Sequence, residues 1–247
     1  MLTTTISRLA IALAALALPV FAESSSNCAG LPAASTLKTL LKQAAAQGHA
    51  GGIFDGNRMW GAVVNREGKI CAYAASTDDP SQVWPGSQAI AKSKAYTANA
   101  FNLDAAPGVP VLSTASLYTF TQPGHSLWSL GQSNVFNPQF LAAPGGQGGG
   151  DNQIAGGLIF FGGGVALYNG AGKIVGGLGV SGDTSCADHE IAKRVRHLAT
   201  LDPPGGALVD DISYSAVDGA SAFTHPQCLN TYRNSVKLAT ELPATGY

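Results

Sequence analysis

The sequence predicts an α+β fold: a single domain in which one antiparallel β-sheet is flanked by helices. Two observations carry that prediction. Two hairpin signatures of one design, Asn65-Arg-Glu-Gly-Lys-Ile70 and Asn169-Gly-Ala-Gly-Lys-Ile174, each sit between apolar runs. Each pair of runs is followed by a stretch with helical periodicity, which reads as an α-β-β-α unit used twice.

Taken in order, the stretch from Ser35 repeats apolar residues at Leu37, Leu40, Leu41 and Ala44, the spacing of one helical face, with Ser35 as its cap. The apolar runs on either side of Asn65–Gly68 read as two strands joined by a short loop with glycine late in it. An alanine-rich helix follows, capped by Gly86 or Ser87, with Ile90, Lys94, Thr97 and Phe101 at helical spacing. Residues 103–150 predict short helices near Ser113–Phe120 and after Pro123, then a Gly/Pro-rich loop over 137–153. Three strands are expected near 156–161, 164–169 and 173–180, and a last long helix from Cys186. Beyond Pro203 the chain reads as an irregular extension, 203–247, packed on a domain of residues 23–202.

Residues 1–22 read as a secretory signal peptide: Arg8, an apolar run of about a dozen residues, then Val20-Phe21-Ala22. That run is short for a bilayer span, so the expected location is periplasmic or secreted, with no membrane span after cleavage. In an oxidising compartment Cys28, Cys71, Cys186 and Cys228 form two disulfides. Of the three pairings, Cys186–Cys228 with Cys28–Cys71 is preferred, because the first pins the irregular C-terminal segment to the core.

Only 12% of residues are charged and the formal net charge is −1, so nucleic-acid binding lacks its electrostatic footprint. No Cys-x-x-Cys occurs, against a zinc knuckle or thioredoxin-type centre. Gly-Ala-Gly-Lys-Ile lacks the first glycine and the Ser/Thr of a phosphate-binding loop, and Gly-Val-Ser-Gly-Asp is not a nucleophile elbow. Asp183, Asp188, His189 and Glu190 lie within eight residues. They read either as an acid–base or metal site or as the acidic opening of a helix capped by Thr184 or Ser185. Gly-Gly-Leu-Gly-Val-Ser-Gly (176–182) leaves one strand face without side chains, open to another backbone or to a flat ligand.

The segment from Gly162 to Ala192, with Gly-Gly-Gly-Val-Ala-Leu-Tyr, a glycine turn, Val-Gly-Gly-Leu-Gly-Val-Ser-Gly and a helix opening on Asp188, resembles the GlcG/HbpS (DUF336, haem-degrading or haem-binding) family. Lys92–Phe101 is similar to that family's Lys-Ala-x-Thr-Ala helix, and Leu117–Leu130 to the segment after it. Val165-Ala166 stands where Gly-x-Pro is usual, and the cysteine-bearing extension departs from the pattern. The resemblance implies an antiparallel sheet flanked by helices, a homo-oligomer, and in some members secreted haem binding or partnership with a sensor.

Haem needs apolar walls, an axial ligand and cations for its propionates. Tyr118, Phe120, His125 and Trp128 lie within eleven residues, which makes His125 the first candidate for the iron and Tyr118 the second, with Lys94 and Lys92 toward propionates. His49, His197 and His225 read as surface or packing residues. The expected function is therefore binding of haem or a similar flat small molecule. The alternatives are an enzyme for an organic acid or aldehyde at the Asp183–Glu190 turn, and a ligand-free structural or sensor-partner oligomer.

Overall fold

The computed structural model describes residues 28–133, 154 and 156–238. The expected leader, residues 1–22, lies outside the described residues, as does the whole of the expected 137–153 loop.

Helix α1 (Ala34–Ala46) buries Leu37, Leu40, Leu41 and Ala44, the face its periodicity predicts. Ala33 stands at its N-cap and no side chain caps it, so Ser35 lies inside the helix. Strands β1 (Trp60–Asn65) and β2 (Ile70–Ala75) pair antiparallel, Trp60 opposite Ala75. Their turn is closed by the Asn65 side chain, which accepts from the amides of Glu67 and Lys69, while Gly68 takes the left-handed conformation. Helix α2 (Gly86–Ala100) follows, and α3 (Trp128–Ser133) comes after two short 3₁₀ turns at 115–117 and 119–121. Strands β3 (Gly164–Tyr168) and β4 (Ile174–Ser181) form the second hairpin, and α4 (Ser185–Leu198) closes the domain.

The four strands make one antiparallel sheet in the order β2-β1-β4-β3. Alternation along the strands divides the core. Val63, Leu178, Val180, Val165 and Leu167 point to one face, against α1 and α4, with Leu37, Leu41, Ile191 and Val195. Trp60, Ala62 and Val64 point to the other, against Ala91 and Ala95 of α2. Charged Lys94 belongs to this buried face, whereas Ile90 and Phe101 are only half-buried. The apolar count on α2 therefore misjudged its inner face, because alanines let the helix lie close.

Two expectations are corrected here. Residues 156–161 are no strand. Gly156 and Gly157 take positive φ, and the segment crosses α2 instead, with the Ile159 amide donating to Thr97 Oγ1 and the Phe161 carbonyl accepting from Thr114 Oγ1. Nor is the glycine face of β4 open. A Cβ on Gly177 or Gly179 would strike the carbonyl oxygens of Ala95 and Ala91, so what lies on those glycines is the backbone of α2.

The extension beyond Pro203 is largely irregular. It contains two-residue strands β5 (Ser213–Tyr214) and β6 (Thr224–His225), paired parallel, a one-turn helix α5 (Ser215–Asp218), and the small hairpin β7 (Tyr232–Arg233) and β8 (Val236–Lys237). Both preferred disulfides are formed, Cys28–Cys71 and Cys186–Cys228, with sequence separations of 43 and 42. Loops of that length stabilise by about 4 kcal/mol each in the chain-entropy model. Among the described residues no helix is long and apolar enough to cross a membrane.

Candidate functional site

The acidic turn between β4 and α4 is a structural joint. Thr184 caps α4, accepting from the Ala187 amide. Asp183 accepts from the amides of Ile53, Phe54 and Thr184 at 2.7, 2.6 and 2.6 Å, which fastens the 51–56 loop to the helix start. Asp188 meets the Lys94 ammonium at 2.7 Å with both side chains out of solvent, and its other oxygen accepts from the Asp183 amide. Burial outweighs these partners and pushes the Asp188 carboxyl up to about 6; it also lowers Lys94. Glu190 pairs with Lys193 and Arg194 and accepts from the Asn234 amide.

The charged face of α4 is buried because the extension and the 44–49 segment cover it. Lys193 also meets Asp211 and Asn234. Arg194 donates to the carbonyls of Ala44, Gly48 and His49. Arg196 makes a two-point contact with Asp210 at 2.8 and 2.6 Å. None of the four candidate residues, Asp183, Asp188, His189 and Glu190, lines either cavity described below.

His189 is fully buried and, among the described residues, neither ring nitrogen has a hydrogen-bond partner; the Asp211 carboxylate stands 3.8 Å from Nε2. Burial, with Lys193 next, holds its pKa well below the usual histidine value. The unfolded chain therefore binds a proton that the fold refuses, and stability falls as pH drops below about 6.5. Replacing the ring by an apolar side chain removes both the unsatisfied atoms and the titration. His189→Leu is expected to keep or raise the melting temperature at pH 7, and to flatten its decline on acidification. Melting curves across pH 4–8 check this, and a steeper decline in the variant would refute it.

The middle segment forms a different environment. Tyr118, Thr119, Gln122, Pro123 and His125, with Ser215, Thr224, His225 and Pro226 of the extension, line a cavity of about 540 Å³. A second cavity of about 260 Å³ adjoins the same Tyr118–Gln122 ridge and is walled by Trp128, Leu158, Phe160 and Phe161. His125 is exposed, and its imidazole makes no hydrogen bond among the described residues. Tyr118 lies with its ring 4.9 Å from that of His225. Phe120 packs edge-on against Phe223, so it braces the extension.

His225 is the residue sequence reasoning missed. It is buried, Nδ1 lies 2.7 Å from the Pro226 carbonyl and Nε2 accepts from the Gly162 amide at 3.3 Å. Burial lowers its pKa to about 4, so the ring is neutral at physiological pH. A signal was available: His225 stands three residues before Cys228, and the preferred disulfide carries it to the start of α4. Lys94 and Lys92 do not reach the cavities. Lys94 is held by Asp188 and the Val180 carbonyl, and Lys92 is buried over the Tyr73 ring, 3.8 Å from its centroid, near Gln88.

Comparison with known proteins adds the following. The chain is similar in structure to protein ORFY of Klebsiella pneumoniae, a DUF336 protein, with TM-score 0.46 and 20% identity over 67% of this chain and 86% of that one. It is also similar to PduOC in its haem complex, with TM-score 0.43 and 23% identity over 65% and 87%. A double mutant of HbpS from Streptomyces reticuli gives TM-score 0.42 and 19% identity over 77% and 98%. No curated protein matches the sequence. The family model described as haem degrading protein HbpS-like matches residues 33–196, which is more than half of the sequence, and the chain belongs to the HbpS-like family.

Proposed function

We propose that the chain binds haem, or a flat small molecule of similar shape, in the cavity between the Tyr118–His125 segment and the C-terminal extension. The observation that carries this reading is the exposed imidazole of His125, without a hydrogen-bond partner among the described residues, at the edge of a cavity of about 540 Å³, a volume within the range of small-molecule sites. Membership of a family described by haem degradation supports the same ligand class.

The residues present fit the group in part. His125 supplies an imidazole for the iron and Tyr118 a phenol as second choice. Pro123, Pro226 and the Tyr118 ring supply apolar wall, while Trp128, Phe160 and Phe161 wall only the adjoining cavity. Among the described residues no Lys or Arg lines either cavity, so in this reading the ligand's carboxylates stay in water rather than on Lys92 or Lys94. Haem, when bound, brings an iron centre; the chain's own residues orient it and exclude solvent from one face. Export to an oxidising compartment belongs to this reading, supported by the leader-like residues 1–22 and by both disulfides.

The test is titration of the purified protein with haem at micromolar concentration, read at the Soret band. The expected result is a shifted band, moved and weakened in His125→Ala. An unshifted band in the wild type would refute binding and favour the ligand-free oligomer. A spectrum unchanged by both His125→Ala and Tyr118→Phe would refute this cavity as the site. The rival enzyme at Asp183–Glu190 has less support, since its four side chains are buried away from both cavities.

A further inference from the structure

We propose that Cys186, Cys228 and His225 form a redox-armed metal site: when the Cys186–Cys228 disulfide is reduced, the two thiolates and the imidazole take up a zinc-class divalent ion. The ligand atoms of these three residues all lie within 4.8 Å of one another. Two thiolates and one imidazole are the donor set of zinc sites that keep a fourth position open. His225 also lines the 540 Å³ cavity, which gives that fourth position room for water or a small ligand.

Three features of the surroundings favour the site. Donors for a thiolate are already in place, since the Cys186 amide at the first turn of α4 donates to Cys228 Sγ at 3.2 Å and Ser185 Oγ lies 3.4 Å from it. Donors at a helix N-terminus stabilise a thiolate, and so favour reduction of the bond. The second is orientation. The Pro226 carbonyl takes the Nδ1 proton of His225, which fixes the tautomer and leaves Nε2 with the lone pair, as backbone partners do for metal-bound histidines. Its present partner, the Gly162 amide, stands off at 3.3 Å. The third is charge. Two thiolates and a divalent ion sum to zero, which suits a largely buried position, and Lys94, whose charge acts on His225, is itself paired with Asp188.

The conversion balances. An external dithiol reduces the protein disulfide to two thiols and is itself oxidised to a disulfide; the ion then displaces the two thiol protons to solvent. The Cα atoms are 5.9 Å apart. In a tetrahedral site the sulfurs stand roughly 3.8 Å apart, from Zn–S bonds of ~2.3 Å, a spacing reached by side-chain rotation. Disulfide and metal are thus alternative fastenings of the same segment, and oxidation would expel the ion.

The experiment uses the whole chain without haem, so its outcome is independent of the haem reading. Cobalt(II) is added to oxidised protein and to protein reduced by a phosphine, and the thiolate-to-cobalt charge-transfer band is recorded. The expected result is no band when oxidised and one cobalt per chain when reduced. The band should be retained in Cys28→Ser/Cys71→Ser and lost in Cys186→Ser/Cys228→Ser. His225→Ala should weaken binding at least 10-fold with the far-ultraviolet circular dichroism unchanged. A reduced, folded protein without the band would overturn the proposal, as would a band that survives loss of Cys186 and Cys228 or ignores His225→Ala. If reduction unfolds the chain, zinc must restore the helical signal, since an ion bound by the native state alone draws the equilibrium back; failure to do so also overturns it.

Discussion

Lys94→Met is expected to destabilise the protein by about 3–5 kcal/mol at pH 8, the usual cost of stranding one partner of a buried ion pair. The Lys94 ammonium is the only cation on Asp188 among the described residues, both side chains are shut from solvent, and the pair joins α2 to α4 across the end of β4. The cost should depend on pH in a defined direction. Asp188 already titrates near 6 with Lys94 in place, above its value of 3.8 in an unfolded chain. Without Lys94 its folded pKa rises further. A carboxyl whose folded pKa is raised is penalised most when ionised, so protonation relieves the variant as pH falls. Lys94→Met should therefore be less destabilised relative to wild type at pH 5 than at pH 8, as urea unfolding at the two pH values would show. Lys94→Met/Asp188→Leu should recover most of the loss, because removing both charges leaves nothing unpaired. Equal costs at both pH values, or no recovery in the double variant, would refute the pairing.

This pair also shows where the sequence stops being readable. The face of α1 is legible in Leu37, Leu40, Leu41 and Ala44, because period and burial coincide there. Both hairpins are legible in Asn65 and Asn169, since each asparagine closes its own turn through local hydrogen bonds. The inner face of α4 is not legible. Glu190, Lys193 and Arg196 look like a solvated helix surface until the chain beyond Pro203 folds over them, and Asp188 and Arg194 until Lys94 and the carbonyls of Ala44, Gly48 and His49 meet them. Lys94 among alanines is hidden for the same reason: its partner lies 94 residues away. The cavity is half legible. Tyr118, Gln122 and His125 come from one short stretch, but the opposite wall, Thr224, His225 and Pro226, arrives through a disulfide. The glycines of β4 announce that something approaches closely; a missing side chain does not say whether that is a ligand or a helix.

Gly179→Ala separates those two possibilities, and a loss of about 3 kcal/mol or more is expected from it, at or beyond the upper end of the usual cost of overpacking. The added Cβ would land on the carbonyl of Ala91 and crowd the amide of Ala95 and the Cβ of Lys94. Those are mostly backbone atoms of α2, which cannot rotate aside, so the helix must lift from the sheet. Lifting it loosens Trp60, Ala62 and Val64 beneath and draws Lys94 from Asp188, so the loss should exceed that of an ordinary one-carbon insertion. Gly170→Ala is the matching control. It sits in the β3–β4 turn with no neighbour within 4 Å of the new carbon, and should change stability by less than about 0.5 kcal/mol. Had the glycine face been the seat of a flat ligand, Gly179→Ala would leave unfolding untouched and abolish haem binding. With α2 seated there, the reverse is expected: a lowered denaturant midpoint, and haem affinity preserved in the fraction that remains folded, because the His125 cavity lies elsewhere. Measuring both quantities on one preparation decides between them, and an undiminished midpoint would mean that the helix does not rest on those glycines.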